Sequence, residues 1–288
     1  MPPLLHTSRV AGDAPTQWML CMHGILGAGG NWRSFSRKLV ERRTDIGVVL
    51  VDLRMHGASQ GLPPPHTLEA AAMDVVSVVA WLRQEGLKVC ALLGHSFGGK
   101  VVMCLREMLD GIDQFWIIDA SPTARPGLLG AVEAVQGVEA AQVGKASTGV
   151  PAIIRMLDEL PDTFADRAAF VATVVSRGHT SQLAQWLAMN LEPRDGSYVF
   201  RLDLTAIRSM LTDYYASDLW SAIESGSGEL HVIAAGKSSA LDEDDRARLE
   251  MLESRRLVTV HEFREAGHWV QVEALDRLVT TIAEALPR

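Results

Sequence analysis

Cysteine is scarce in this chain. Cys21, Cys90 and Cys104 are the only three in 288 residues. An odd number without a recurring spacing reads as buried thiols in a reducing compartment. No set of Cys and His has metal-ligand spacing, so no metal is expected. A basic surplus is missing too. With 27 Lys and Arg against 35 Asp and Glu, the formal net charge is −8. No dense basic run occurs, which argues against a nucleic-acid partner. No run of apolar residues is long enough to span a membrane. Residues 1–15 lack the basic start and apolar core of a signal peptide. The expectation is a cytoplasmic protein with no cofactor.

Apolar residues are plentiful, at 48%. That is ample for a sizeable core, and a length of 288 residues allows one large α/β domain or two smaller ones. Short apolar runs alternate with amphipathic stretches, the pattern of a parallel sheet covered by helices. Strands are predicted at 18–22, 48–52, 89–93, 114–119, 230–235 and 257–263, with an edge strand over 4–10. Helices are predicted at 32–43, 67–85, 98–109, 243–253 and 270–286. The alternation breaks between Pro122 and Gly228. That stretch reads as helices at 131–141, 150–158, 167–176 and 181–190, with an extended patch at 198–203. The expected organisation is an α/β core over 1–121 and 229–288. A helical cap over 122–228 lies across the C-terminal edge of the sheet, where α/β proteins bind ligands.

The segment Gly94-His95-Ser96-Phe97-Gly98-Gly99 follows the apolar run Val89 to Leu93. It reads as a nucleophile elbow, in which a strained strand-to-helix turn presents a serine. Glycines two residues before and after Ser96 make room for the turn. The following helix aims its positive N-terminus at the same spot.

A serine hydroxyl needs a base. His268, in Ala266-Gly267-His268-Trp269, follows the last predicted strand and is the expected base. The base needs a carboxylate, and two compete. Asp119 ends a wholly apolar strand, where a carboxylate is rare without a partner. Asp242 lies after the strand 230–235, the commoner place for the acid, but heads an acidic helix start. Asp119 is preferred. The oxyanion hole needs two backbone N–H donors. Phe97, next to the nucleophile, is one. Ile25, in Met22-His23-Gly24-Ile25-Leu26-Gly27, is the other, with Gly24 letting that backbone approach the substrate. Trp269 beside the base and Trp186 in the cap are expected substrate contacts, with Leu187, Phe200, Met210 and Tyr214 as further apolar cap residues. Any single one of these cap residues reads more readily as the cap's own core than as pocket lining. Asp52, Arg54 and His56 read as loop stabilisers. His95 reads as a packed elbow histidine.

These elements resemble the α/β-hydrolase superfamily. Within it the chain is similar to small esterases and thioesterases of the α/β-hydrolase domain-containing protein 11 group and its bacterial relatives. The shared stretches are H-G-I-L-G, D-L-R-M-H-G-A-S, G-H-S-F-G-G-K, I-D-A-S-P, N-L-E-P-R-D-G-S-Y-V-F-R-L-D-L and A-G-H-W-V. The resemblance implies an α/β-hydrolase fold and hydrolysis of a small-molecule ester or acyl thioester, with Ser96 and His268 in the matching positions. In bacterial relatives it points to an acid after the strand carrying Asp119. The alternatives are other chemistry on this scaffold, such as C–C bond hydrolysis or perhydrolysis, and a non-catalytic ligand receptor.

Overall fold

Seven strands pair side by side into one sheet: β1 (Thr7–Ala11), β2 (Gln17–Met22), β3 (Ile46–Val51), β4 (Val89–His95), β5 (Gln114–Ile118), β9 (Glu229–Ala235) and β10 (Thr259–Phe263). Their order is β1-β3-β2-β4-β5-β9-β10. β1 runs antiparallel to β3, and every other pair is parallel. The computed structural model describes residues 4–133 and 149–288.

Every residue of β2, β3, β4 and β5 is buried. This is why the runs are nearly continuously apolar, as strands covered on both faces must be. Alternate residues serve opposite faces. Met19, Cys21, Val48, Leu50 and Leu93 pack on one face with Phe35, Leu39, Leu278 and Ile282. Leu20, Met22, Val49, Val51 and Leu92 pack on the other with Val75, Val79, Val101 and Leu105. Each such aliphatic side chain contributes about 1.5–3 kcal/mol by leaving water.

The helices Arg33–Arg42, Leu68–Gln84, Phe97–Met108 and Glu243–Ser254 fall where the periodicity predicts them. The predicted last helix is split at Ala274 into Val270–Glu273 and Leu275–Ala285. The first piece is short because Glu273 turns back on the loop before it. Its carboxylate accepts from Gly267 N–H at 2.8 Å and Trp269 N–H at 3.3 Å.

The chain between β5 and β9 forms helices at Val150–Asp158, Arg167–Ser176, Ser181–Leu187, Leu204–Ala216 and Trp220–Ser225, plus the short Leu129–Glu133. Asp166, Thr180 and Asp203 cap three of them by accepting from backbone N–H groups of the first turn. Residues 134–141 of the predicted helix 131–141 lie outside the described residues. The extended patch is larger than the sequence suggested. β6 (Thr163–Phe164), β7 (Leu191–Arg194) and β8 (Ser197–Phe200) form a three-stranded antiparallel sheet in the order β6-β8-β7. The turn between β7 and β8 places Asp195 and Gly196 at positive φ, the chemistry of a tight hairpin. The predicted helix 181–190 ends early because residues 188–190 tighten into a 3₁₀ turn that feeds β7.

The helix after the elbow pegs this insertion down. Lys100 Nζ donates to the carbonyls of Tyr214 at 2.8 Å, Ser217 at 2.7 Å and Thr123 at 3.2 Å. Arg106 donates to the carbonyls of Ala222, Ile223 and Gly226, each at 2.8 Å. Each cation thus satisfies the open carbonyls at a helix C-terminus. Among the described residues no helix is long and apolar enough to cross a membrane.

Candidate active site

At the C-terminal end of β4 the chain turns through Ser96, whose φ of 52° and ψ of −114° are strained for an L-residue. The turn exists because its neighbours lack side chains. A Cβ on Gly94 would sit 2.0 Å from the Gly98 carbonyl oxygen, and one on Gly98 2.7 Å from that of His23. The elbow is held by Ser96 N–H donating to Ile118 O at 3.0 Å.

His268 follows β10 at the same edge. Its Nδ1–H donates to Asp119 Oδ2 at 2.6 Å, across 149 residues of chain. Asp119 is fully buried and sits at φ 47°, a left-handed position that Asp tolerates better than most residues. That conformation hooks it between strands. Its N–H donates to Ile233 O at 2.9 Å, and its Oδ1 accepts from Ala235 N–H at 3.3 Å. With Nδ1 committed to Asp119, Nε2 of His268 carries the lone pair. Ser96 and His268 line one cavity of about 440 Å³.

Asp242 has a different job. Its Oδ1 accepts from Asp245 N–H at 2.9 Å and caps the helix Glu243–Ser254. Its other oxygen pairs with Arg125 at 3.0 Å.

Ile25 and Phe97 line this cavity, and neither backbone N–H has a hydrogen-bond partner among the described residues. Phe97 opens the helix after the elbow, so its N–H is free by construction. Ile25 is aimed by its neighbours. The Gly24 carbonyl accepts from His23 Nδ1–H at 2.7 Å and from Gly27 N–H at 3.0 Å. In a trans peptide the N–H points opposite to that carbonyl, so Ile25 N–H faces away from His23. His23 is itself fixed, since its Nε2 accepts from Leu53 N–H at 3.0 Å. His56 repeats the device, accepting from Leu26 N–H at 3.0 Å while its Nδ1–H donates to Arg54 O. Sequence reading left the role of His23 unseen. A histidine before a glycine signals it only once the next loop is known to lie beside it.

Asp52 and Arg54 are placed as loop braces. Asp52 accepts from Gly29 N–H at 2.7 Å and Ala58 N–H at 2.8 Å. Arg54 pairs with Asp74 at 2.8 Å. His95 is buried in the elbow, and its Nε2–H donates to the carbonyl of His268 at 2.8 Å.

The expected substrate contacts are placed differently. Gly24 acts through what it lacks, since a Cβ there would come within 3.3 Å of Ser96 Cβ. Trp186 and Trp269 do not line the cavity. They pack edge to face at 4.5 Å, and Trp269 lies against His95. Two large flat side chains satisfy one another more fully than a narrow cavity would. Leu187 and Met210 are fully buried, and Phe200 stacks on Phe170, so these belong to the packing of residues 122–228. Tyr214 does line the cavity, with Leu128, Val150, Pro151 and Leu211. Its polar side is Ser121, Thr123, Arg125, Ser238 and Ser239. Ser239 stands in the loop after β9, which reaches the cavity through Lys237, Ser238, Ser239 and Ala240. Among the described residues no group of three or more His, Cys, Asp or Glu is placed to hold a metal ion.

Burial holds His23, His56 and His95 neutral. It lowers all three below the ordinary 6.5, taking His56 to about 3 and His95 well down. Below 6.5 the unfolded chain binds protons at these positions and the folded protein does not. Stability is therefore present above that pH and lost as pH falls toward 3. For His56 the loss runs at about 1.4 kcal/mol per pH unit between about 6.5 and about 3, and His23 and His95 act in the same direction. The urea midpoint should drop steeply between about pH 6.5 and about pH 5. A flat midpoint there would show that these rings ionise in the fold.

The sequence profile of the alpha/beta hydrolase family matches residues 19–281. The sn-1-specific diacylglycerol lipase ABHD11 of Mus musculus is 28% identical over 265 residues, covering 90% of this chain and 77% of the mouse protein. Esterase YbfF of Escherichia coli K12 is 24% identical over 277 residues, covering 93% of this chain and 92% of its own. Among solved structures, a marine microorganism esterase superposes with a TM-score of 0.75 at 18% identity, over 98% of this chain and 99% of its own. The thioesterase domain from the curacin biosynthetic pathway superposes at 0.66 with 17% identity, over 98% and 99%. At these identities the structural likeness is one of fold.

Proposed function

The chain belongs to the alpha/beta hydrolase family, and we propose that it is a serine hydrolase cleaving carboxylic esters or acyl thioesters. The observation that carries this reading is the 2.6 Å bond from His268 to buried Asp119 beside a cavity shared with Ser96. Asp119 holds His268 in the tautomer with a free Nε2. Nε2 takes the Ser96 proton as Oγ attacks the substrate carbonyl. The N–H groups of Ile25 and Phe97 receive the oxyanion, with the positive end of the helix Phe97–Met108 behind it. His268 then protonates the leaving alcohol or thiol and activates the water that releases the acyl group. Relatives named as a lipase and an esterase support ester cleavage.

Residues 122–228 act in this reading as a cap on a core of 1–121 and 229–288. Leu128, Val150, Leu211 and Tyr214 give the cavity an apolar wall suited to an acyl chain. Each methylene of a fitted chain contributes about 0.8 kcal/mol at most, or about fourfold in kcat/KM. A panel of p-nitrophenyl esters and acyl-CoAs of graded length tests both claims. Specificity should rise with length and then fall once the cavity is full. Leu211→Ala and Tyr214→Ala should move the optimum and leave fluorophosphonate labelling of Ser96 intact. No turnover of any ester or thioester would sink the enzymatic reading, and an unmoved optimum would remove the cap from specificity.

A further inference from the structure

The cap segment Trp186 to Asn190 touches the loop of Ile25 through Asn190 and the loop of His268 through Trp186, which packs on Trp269. Asn190 is buried, 1% exposed, and its Nδ2–H donates to the Leu26 carbonyl at 2.8 Å. The two residues are 164 apart in sequence. Asn190 is rigid on its own side. Its carbonyl accepts from Arg201 N–H at 3.1 Å, while Arg167 donates to the carbonyls of Ala188 and Leu191. Met189 takes part as well, its sulfur accepting from Asn31 Nδ2 at 3.1 Å.

Leu26 is an unusual residue to hold. It is not glycine, yet its φ is 64°. A branched side chain keeps such a conformation only where the surroundings over-determine it. Here each polar group of Leu26 is taken by a side chain from outside the loop. His56 Nε2 accepts from its N–H, and Asn190 donates to its carbonyl. Leu26 is the third residue of the turn closed by Gly27 N–H on the Gly24 carbonyl, so relaxation of its φ would open that bond and loosen the peptide that carries Ile25 N–H. The Asn190 amide is also costly where it lies, because its Oδ1 is buried without a partner. Packing alone would favour an apolar residue there.

We propose that Asn190 is a positioning residue for the oxyanion hole, holding Leu26 left-handed so that Ile25 N–H faces the reacting carbonyl. The cap then takes part in catalysis as well as in enclosing the site. The assignment rests on the serine-hydrolase reading above.

The test compares wild type with Asn190→Leu and the near-isosteric Asn190→Asp, each normalised to active sites titrated with a fluorophosphonate. Losing an oxyanion donor outright costs about 10²–10³ in kcat, so misaiming one should cost about tenfold or more. That loss should fall in kcat, with KM within about twofold. The inhibition constant of a trifluoromethyl ketone, whose hemiketal oxyanion occupies the same hole, should weaken by the same factor. A merely structural role lowers the titre of active sites and leaves the ketone affinity of the remainder unchanged, which would overturn the assignment. If Asn190→Leu does not fold, Asn190→Asp carries the test. Wild type that turns over esters, with both measures unmoved in a folded variant, overturns Asn190 alone. Wild type that neither turns over esters nor binds the ketone overturns the reading beneath it as well.

Discussion

Ser96→Ala should fold as the parent does and lose kcat by about 10³-fold or more. The hydroxyl is the only group removed. The strained φ of 52° is imposed by β4, the flanking glycines and the Ser96 N–H bond to Ile118, all of which remain. The thermal midpoint should therefore stay close to that of the parent. Residual turnover would come from the N–H groups of Ile25 and Phe97 acting on a water-attacked ester. Active-site labelling with a fluorophosphonate, read by intact mass, checks the assignment directly. A variant that still takes up the label would move the nucleophile elsewhere.

The second large effect separates the two carboxylates. Asp119→Asn should lower kcat at least about 10²-fold more than Asp242→Asn. At 119 an amide can present its N–H to His268 Nδ1, which favours the tautomer with the proton on Nε2. The lone pair that must take the serine proton is then gone. At 242 asparagine is as good a helix cap as aspartate, and what is lost is the half-exposed pair with Arg125. Urea midpoints for both variants keep a folding defect from passing as a chemical one. If Asp242→Asn is the more damaging at equal stability, the acid has been misassigned.

The elbow was legible because all its determinants are neighbours in sequence: an apolar strand, a serine between two glycines, and an apolar helix. His268 was legible by its place after the last strand. Asp119 was half legible. A carboxylate ending a buried strand needs a partner, yet nothing in the chain says which. Which apolar residues line the cavity was legible only for Tyr214. Trp186 and Trp269 are large and apolar beside a site, and this describes a residue packed on its neighbour as well as one lining a cavity.

The amino-acid sequence by itself determined the alternation of strands and helices in the α/β core, the turn at Ser96, the break in alternation at Pro122 and the apolar faces that make the core. These follow from side-chain size, periodicity and backbone freedom, which act over a few residues. Tertiary structure alone decided that Asp119 meets His268, that Lys100 and Arg106 cap helices of the insertion, and that Asn190 reaches Leu26. It also decided that the peptide before Ile25 is turned by His23. Those contacts join segments far apart in the chain, and a hydrogen bond a few ångströms long depends on where the strand order sets each segment down. Periodicity carries no information about that distance.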